Sequence, residues 1–113
     1  MEITAGPLTD FCTSITLSAK DSTGVWKWSA GLGLFMRTEK WFHGRPVYVN
    51  SNGKYLHVTR DNNKGDSYWC VGTNIGMMDY IRSTGAPLRA EESRHWVYTY
   101  SSRDRGISIK CNE

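Results

Sequence analysis

The stretch GRPVYVNSNGKYLHV, residues 44–58, decides the fold of this chain. Two short runs rich in β-branched and aromatic residues flank the turn residues Asn52 and Gly53, as in a β-hairpin. In each run aliphatic residues alternate with aromatic or polar ones, which is the two-residue period of a β-strand with one buried face. The stretch therefore predicts two antiparallel strands joined by a tight turn.

Two registers are compatible with this hairpin, and the first uses a two-residue type I′ turn at Asn52 and Gly53. This register pairs Val49 with Leu56 and gathers the aliphatic side chains on one face. The members of that face are Val47, Val49, Leu56 and Val58. The opposite face then collects Tyr48, Tyr55 and His57.

The second register uses a three-residue turn with a glycine bulge at Gly53. It pairs Tyr48 with Leu56 and places the two valines on the same face as Tyr55 and His57. We favour the type I′ register, because a half-buried antiparallel sheet requires its aliphatic residues on one side. On that register Tyr48 and His57 are predicted to be displayed.

The same two-residue spacing continues outward from the hairpin, and no window of about eleven residues keeps the spacing of an amphipathic helix. The predicted fold is all-β, a single small antiparallel β-sandwich or open barrel over residues 1–113 with at most one short helix. That helix is expected within residues 87–96, because Pro87 suits a first helical position. The candidate strands are residues 13–19, 25–28, 32–38, 46–51, 54–59, 67–71, 79–83, 96–100 and 107–111.

Composition bounds the class of protein. A chain of 113 residues with 39% hydrophobic residues has room for one core and no second domain. No run of about eighteen apolar residues is present, and residues 1–10 lack the basic start and apolar centre of a secretory signal. We therefore expect a soluble chain without a membrane span. The net charge of +3 is dispersed along the chain, which does not favour a nucleic-acid surface.

Three cysteines allow at most one internal disulfide. Cys12 and Cys111 lie near the two ends of the chain, which are often close together in small domains, so a bridge between them is geometrically reasonable. Three reduced thiols in an intracellular protein are the alternative, and the sequence leaves both open. Cys70 is expected to behave as a small buried hydrophobic residue.

The sequence has no motif for catalysis or metal binding. His43, His57 and His95 stand alone, with no cysteine at a metal-ligand spacing, so we predict no metal site and no cofactor. No nucleophile elbow of the GxSxG type is present, and Glu91 and Glu92 are adjacent rather than paired across a cleft. We therefore predict a non-enzymatic protein.

Aromatic residues are the most unusual part of the composition. Five tryptophans, six tyrosines and three phenylalanines occur among strands that also carry asparagine and arginine. Each tryptophan buries on the order of 200 Å², so two or three of them fill the core of so small a domain. The others are then available to stack on sugar rings or to pack against a protein partner. Burial of all five in the core is the structural alternative.

A candidate binding face follows from the hairpin and its flanking aromatic residues. The predicted ligand-binding residues are Trp41, Arg45, Tyr48, Tyr55, His57 and Trp69. The predicted function is a recognition module that binds carbohydrate or a protein partner through an aromatic β face. A domain that binds single-stranded nucleic acid is the alternative, because a β platform with stacking aromatics and positive charge also suits that ligand. A small hydrolase ranks third.

The motifs GRPVY, YL, YWCVGTNIG, IRS, HWVY and ISIKC follow one another within residues 41–111. Their order resembles a small Trp-rich β module found in multidomain proteins of marine invertebrates and of unicellular eukaryotes. The resemblance implies a repeated, appended domain. It thereby favours a binding or scaffolding role.

Overall fold

The computed structural model describes residues 10–19, 29–61, 65–77, 80–98 and 106–113. Within these ranges the strands are β1 (Ser14–Ala19), β2 (Gly33–Phe42), β3 (Arg45–Asn50), β4 (Tyr55–Arg60), β5 (Ser67–Gly72), β6 (Ile81–Arg82), β7 (Val97–Tyr98) and β8 (Ile107–Cys111). They form one sheet in the order β7-β6-β5-β4-β3-β2-β1-β8, and every neighbouring pair is antiparallel. The last strand therefore returns to lie beside the first.

The sheet curls into an open half-barrel, which confirms the all-β prediction in its open-barrel form. Two 3₁₀ turns lie wholly within the described ranges, Ser29–Gly31 and Ala90–Glu92. The second lies inside the stretch predicted to be helical, although it begins after Pro87 rather than at it. No helix in these ranges is long and apolar enough to cross a membrane. The predicted strand at residues 25–28 lies outside the described residues.

The concave side of the sheet, the inner face, carries the hydrophobic core. Apolar residues lie opposite one another on neighbouring strands, as with Ile15 and Phe35 or Val58 and Trp69. The connection formed by residues 84–96 packs on the same core. The buried cluster consists of Cys12, Ile15, Leu17, Phe35, Tyr48, Leu56, Val58, Trp69, Val71, Ile81, Ala90 and Trp96. Because each large side chain contributes about 1.5–3 kcal/mol when buried, this face supplies most of the hydrophobic stabilisation.

A disulfide joins Cys12, which precedes β1, to Cys111 at the end of β8, with the two Cα atoms 5.8 Å apart. The structure thereby decides between the bridge and the three reduced thiols that the sequence left open. A cross-link that closes a loop of about one hundred residues is worth about 4–5 kcal/mol in the chain-entropy model. Cys70 is fully buried, as predicted.

The two central hairpins use different turns. His43 and Gly44 join β2 to β3, and both have positive φ, 51° and 76°. Two successive positive φ values are typical of a type I′ turn. In the turn between β3 and β4, the N–H of Gly53 donates to the carbonyl of Asn50 at 3.1 Å, and Gly53 has a φ of 74°. This second turn is a type I turn with a glycine bulge.

The register that we favoured for β3 and β4 is therefore wrong. The structure pairs Tyr48 with Leu56 and Val49 with Tyr55, which is the bulged alternative. Tyr48 is 2% exposed and belongs to the inner core, whereas Val49 is partly exposed. The type I′ register was favoured on the assumption that only one face of the hairpin is buried. In the structure both faces of the hairpin are partly covered.

Asn50 stabilises the bulged turn. Its Oδ1 accepts hydrogen bonds from the backbone N–H groups of Asn52, at 3.0 Å, and Lys54, at 2.9 Å. Its Nδ2 donates to the carbonyls of Ala30, at 2.8 Å, and Leu32, at 3.2 Å. In a two-residue turn the Asn50 amide would not meet this set of partners. Its hydrogen bonds to the backbone two and four residues ahead require the longer loop.

Candidate functional site

The convex side of the sheet, the outer face, has two halves with opposite exposure. On β3, Val47 is fully buried, whereas Val49, two residues further on and on the same face, is partly exposed. The covered half is defined by Val47, His57 and Cys70. The open half is defined by Leu34, Met36, Val49 and Tyr55.

The covered half lies beneath Phe42 and residues 73–77. The Phe42 ring packs edge-on against the ring of His57, with their centroids 6.1 Å apart. The N–H of Gly76 donates to His57 Nε2 at 2.8 Å, and the Cys70 sulfur lies 3.7 Å from the carbonyl oxygen of Met77. His57 and Cys70 are both 0% exposed as a result.

The contacts of His57 fix the tautomer of its ring. Nε2 accepts the Gly76 N–H, so the proton lies on Nδ1, which donates to the carbonyl of Tyr55 at 3.1 Å. The Cys70 sulfur lies 3.6 Å from the same Nε2. A thiol beside an imidazole is the arrangement of nucleophilic catalysis. Both side chains are enclosed, and Nε2 already accepts the hydrogen bond from Gly76.

An apolar row crosses the open half. Met36 on β2 lies opposite Val49 on β3, and Val49 lies opposite Tyr55 on β4. Leu34, two residues before Met36 on the same face, is 52% exposed, and Met36 is 46% exposed. Single exposed apolar residues are ordinary on a protein surface, but a contiguous group of them on one sheet face is typical of an interaction site.

A groove of about 540 Å³ lies beside this row, between β2 and the turn that follows β3. It is lined by Leu32, Gly33, Leu34, Met36, Val49, Asn50, Ser51 and Asn52. Its volume falls within the range of about 300–1,000 Å³ that is usual for ligand pockets. Asn52 Nδ2 donates to the carbonyl of Ala30 at 3.3 Å, and the amide of Asn50 is bonded to the backbone at both ends. Both asparagines are thus held in place, Asn50 through both ends of its amide and Asn52 through Nδ2.

The six side chains predicted to bind ligand do not form one surface. Tyr48, His57 and Trp69 are buried. The prediction that Tyr48 and His57 are displayed is therefore wrong, and Trp69 has no exposed ring to stack on a ligand. The Tyr48 hydroxyl donates to the carbonyl of Cys12 at 2.9 Å, and Trp69 Nε1 donates to the carbonyl of Pro87 at 2.7 Å. Burial raises the pKa of the Tyr48 phenol well above its usual value. These three side chains stabilise the fold.

The other three predicted residues are partly exposed, at separate places. The Trp41 ring packs edge-on against Phe11, with their centroids 5.7 Å apart. Arg45 donates through Nε and Nη2 to two backbone carbonyls of residues 84–96, at 3.2 and 3.0 Å, so its guanidinium ties that connection to the sheet. Tyr55 is the only one of the six that belongs to the open half.

Leu34 and Met36 were missed because the sequence reasoning looked for aromatic residues. Their signal is present in GLGLFMR, residues 31–37, where apolar residues occupy both odd and even positions of one strand. Phe35 takes the inner face of β2, pairing with Ile15, so its two neighbours must point outward. A strand with apolar residues on both faces is therefore the sequence signal for Leu34 and Met36, once Phe35 is known to face the core.

One cluster of potential metal ligands occurs in the part of the chain that the structure describes. Atoms of Cys12, Cys111 and Glu91 lie within 4.8 Å of one another, with Glu91 Oε2 3.3 Å from the Cys12 sulfur. The two sulfurs are bonded to each other in the disulfide. Neither sulfur is a thiolate in this state, and only a thiolate binds a metal. The cluster is therefore a disulfide with a neighbouring carboxylate rather than a metal centre.

Comparison with protein-family models, with curated proteins and with solved structures found no match for this chain. Of the two halves of the outer face, only the open half combines exposed apolar side chains with a groove.

Proposed function

We propose that this chain is a non-enzymatic recognition module that binds a protein partner through the groove of the open half. The observation that carries the proposal is the exposure of Leu34 and Met36, 52% and 46%, side by side at a groove of about 540 Å³. Burying such side chains against a partner removes apolar area from water at about 25 cal/mol per Å². Methionine also adapts its shape to different partners.

The polar groups of the groove favour a protein over a carbohydrate. Sugar recognition requires side chains with donors and acceptors open to the hydroxyl groups. The Asn50 amide instead bonds at both ends to the backbone of its own chain, and Asn52 Nδ2 donates to the carbonyl of Ala30. The groove therefore presents mainly aliphatic surface, which suits a polypeptide segment that inserts one or two apolar side chains.

The same lining does not support the nucleic-acid alternative. No lysine or arginine lines the groove among the described residues. Lys54, next to the turn, lies over the ring of Tyr80, with Nζ 5.3 Å from the ring centroid. Phosphate binding requires several cations along one surface. The enclosed pair His57 and Cys70 likewise supports a non-enzymatic role.

The test begins with selection of peptides from a displayed library on the immobilised protein. A glycan and nucleic-acid array is probed alongside, at two salt concentrations. The affinity of a selected peptide is then measured for the double variant Leu34→Ser/Met36→Ser. Met77→Ser and Leu88→Ser are the matched controls, because these residues are 45% and 39% exposed outside the groove. We expect the double variant to lose about tenfold or more in affinity, and the controls to lose none.

Two results would overturn the proposal. One is the absence of any peptide whose binding depends on Leu34 and Met36. The other is glycan binding that the double variant abolishes, which would make carbohydrate the ligand of the groove. Steep loss of nucleic-acid binding with salt would instead support the nucleic-acid alternative.

A further inference from the structure

A second cavity lies where the two edges of the sheet approach each other, away from the open half. It has a volume of about 230 Å³ and is lined by residues 93–96, which lead into β7, and by residues 107–109 of β8. β7 and β8 are the two edge strands of the sheet. We name this space the seam cavity. It shares no residue with the groove of the proposed function.

The wall formed by residues 93–96 has a defined backbone. The N–H of Ser93 donates to the carbonyl of Ala90 at 3.0 Å, and the Thr84 side chain donates to the carbonyl of Arg94 at 3.3 Å. His95 has a φ of 54°, in the left-handed region. A left-handed residue interrupts the side-to-side alternation of an extended chain. The side chains of Arg94 and His95 are therefore both exposed, whereas Ser93 and Trp96 are buried.

Two buried polar atoms of this wall have no hydrogen-bond partner within the described structure. They are the Ser93 hydroxyl oxygen and Trp96 Nε1, and their residues are 3% and 1% exposed. Buried polar groups in native proteins are almost always hydrogen-bonded, because leaving one unsatisfied is costly. Ser93 and Trp96 both line the cavity, with the exposed residues Arg94 and His95 between them. Their two unpartnered atoms indicate that the site is completed by an acceptor that the described residues do not supply.

The donors of the wall select for an anionic oxygen. The indole N–H and the guanidinium of Arg94 donate only, and the serine hydroxyl donates as well as it accepts. The Arg94 side chain makes no ion pair in the part of the chain that is described, and the nearby Glu92 carboxylate accepts the N–H of Arg89 at 3.3 Å. The Glu92 carboxylate thus has a partner already, and the Arg94 guanidinium can bind an anion from outside.

We infer that the seam cavity binds the carboxylate group of a small ligand, with Ser93, Trp96 and Arg94 as donors. The volume limits the ligand, because about 230 Å³ holds the equivalent of roughly eight water molecules. Each orphan atom has less than 1 Å² of accessible surface, so the ligand reaches it only after a side chain of the wall rotates. We therefore expect affinity in the millimolar range. A free organic acid and the terminal carboxylate of a peptide share this chemistry.

The test uses two-dimensional ¹⁵N NMR of the intact chain, in which the indole N–H of Trp96 reports directly on its own hydrogen bond. N-acetylglycine is the probe for a peptide terminus, acetate is the probe for a free acid, and N-acetylglycinamide is the neutral control of matched size. We expect the Trp96 indole proton to move downfield saturably with at least one of the carboxylates, and not with the amide. Tighter binding of N-acetylglycine than of acetate identifies the peptide terminus as the source.

Variants separate a ligand site from a structural role. Arg94→Gln is expected to weaken carboxylate binding about tenfold, as loss of a hydrogen bond to a charged group does, whereas Arg60→Gln, at an exposed arginine of β4, leaves it unchanged. Ser93→Ala is expected to weaken binding as well, while the melting temperature stays at or above that of the parent chain. A structural hydroxyl would instead lower the melting temperature on removal.

Three results would overturn the inference. The first is the absence of a saturable Trp96 shift at carboxylate concentrations up to about 100 mM, well above a millimolar dissociation constant. The second is an equal shift with the neutral amide. The third is a bound water that satisfies the indole, detected as a persistent exchange contact between its proton and water that no carboxylate displaces.

Discussion

Val47 and Val49 lie two residues apart on the same strand and the same face, yet one is enclosed and the other is partly exposed. The difference does not arise in β3 itself. Around Val47 the sheet is covered by Phe42 and by residues 73–77, which bond to His57 and Cys70. Around Val49 the neighbours are Met36 and Tyr55, and a groove remains open.

The comparison teaches how one face of a sheet serves both stability and recognition. The pairing of β2 with β3 shifts by two residues between Arg37 and Trp41, and Phe42 follows directly after this irregularity. It thereby reaches the ring of His57 and the backbone of Gly76. Irregular pairing of this kind re-aims side chains. The covered half is a second, smaller core, and the open half is what that core leaves uncovered.

The largest expected effect compares the two valines directly. Val47→Asp places an unpaired carboxylate in the covered half and is expected to cost about 4 kcal/mol or more of unfolding free energy. Val49→Asp leaves its carboxylate able to reach water and is expected to cost about 1 kcal/mol. Urea unfolding of both variants, followed by tryptophan fluorescence, measures the difference. Equal costs would show that the open half is buried in solution.

A smaller effect is expected at the glycines that have positive φ. Gly76→Ala and Gly53→Ala each introduce about 1–3 kcal/mol of backbone strain, at φ values of 97° and 74°. Only Gly76 belongs to the cover, where an added Cβ lies 3.7 Å from the Phe42 ring, whereas Gly53 has no atom within 4 Å of that position. We expect Gly76→Ala to accelerate labelling of the Cys70 thiol about tenfold or more, and Gly53→Ala to leave the rate near that of the parent.

Thiol labelling under native conditions also tests whether the cover over Cys70 opens without unfolding of the rest of the chain. If the cover opens locally, Cys70 becomes reactive without unfolding of the inner core. Equal acceleration by both glycine variants would contradict this, because it would mean that global unfolding alone exposes the thiol. The disulfide of Cys12 and Cys111 does not react with a thiol reagent, so Cys70 gives the signal.

The smallest expected effect lies in the open half. Leu34→Ser and Met36→Ser are each expected to change the unfolding free energy by about 0.5 kcal/mol, because about half of each side chain is already in water. Leu56→Ala, at a fully buried position on the inner face, is expected to cost about 2–5 kcal/mol. Thermal and urea unfolding of the three variants measure the loss at Leu56 against the losses at Leu34 and Met36. Large losses at Leu34 or Met36 would assign them to the fold rather than to recognition.

The candidate site was only partly predictable from the sequence. The hairpin was located correctly and Tyr55 was named, since the alternation of residues 44–58 is a local property. The exposure of Tyr48 and His57 was not predictable in this way. It depended on the register of β3 with β4 and on what covers each face, and residues 73–77 are distant in sequence from the hairpin that they cover.

Turn chemistry illustrates the same limit. Asn52 and Gly53 are a typical pair for a type I′ turn, and His43 is not, yet the type I′ turn occurs at His43 and Gly44. Asn50 determines which turn follows β3, because its amide bonds to the carbonyls of Ala30 and Leu32 as well as to its own turn. Partners twenty residues away cannot be inferred from the turn alone.

By itself the sequence determined that the chain is all-β and where most of its strands lie, because a two-residue hydrophobic period is fixed by backbone geometry. It also limited the cysteines to one bridge and made the pair Cys12 and Cys111 reasonable, which the structure contains. The tertiary structure alone decided the register, the burial of Tyr48 and His57, and the exposure of the open half. Those properties depend on contacts between residues far apart in the chain, and a local pattern that is apolar on both faces of a strand does not specify which face remains in water.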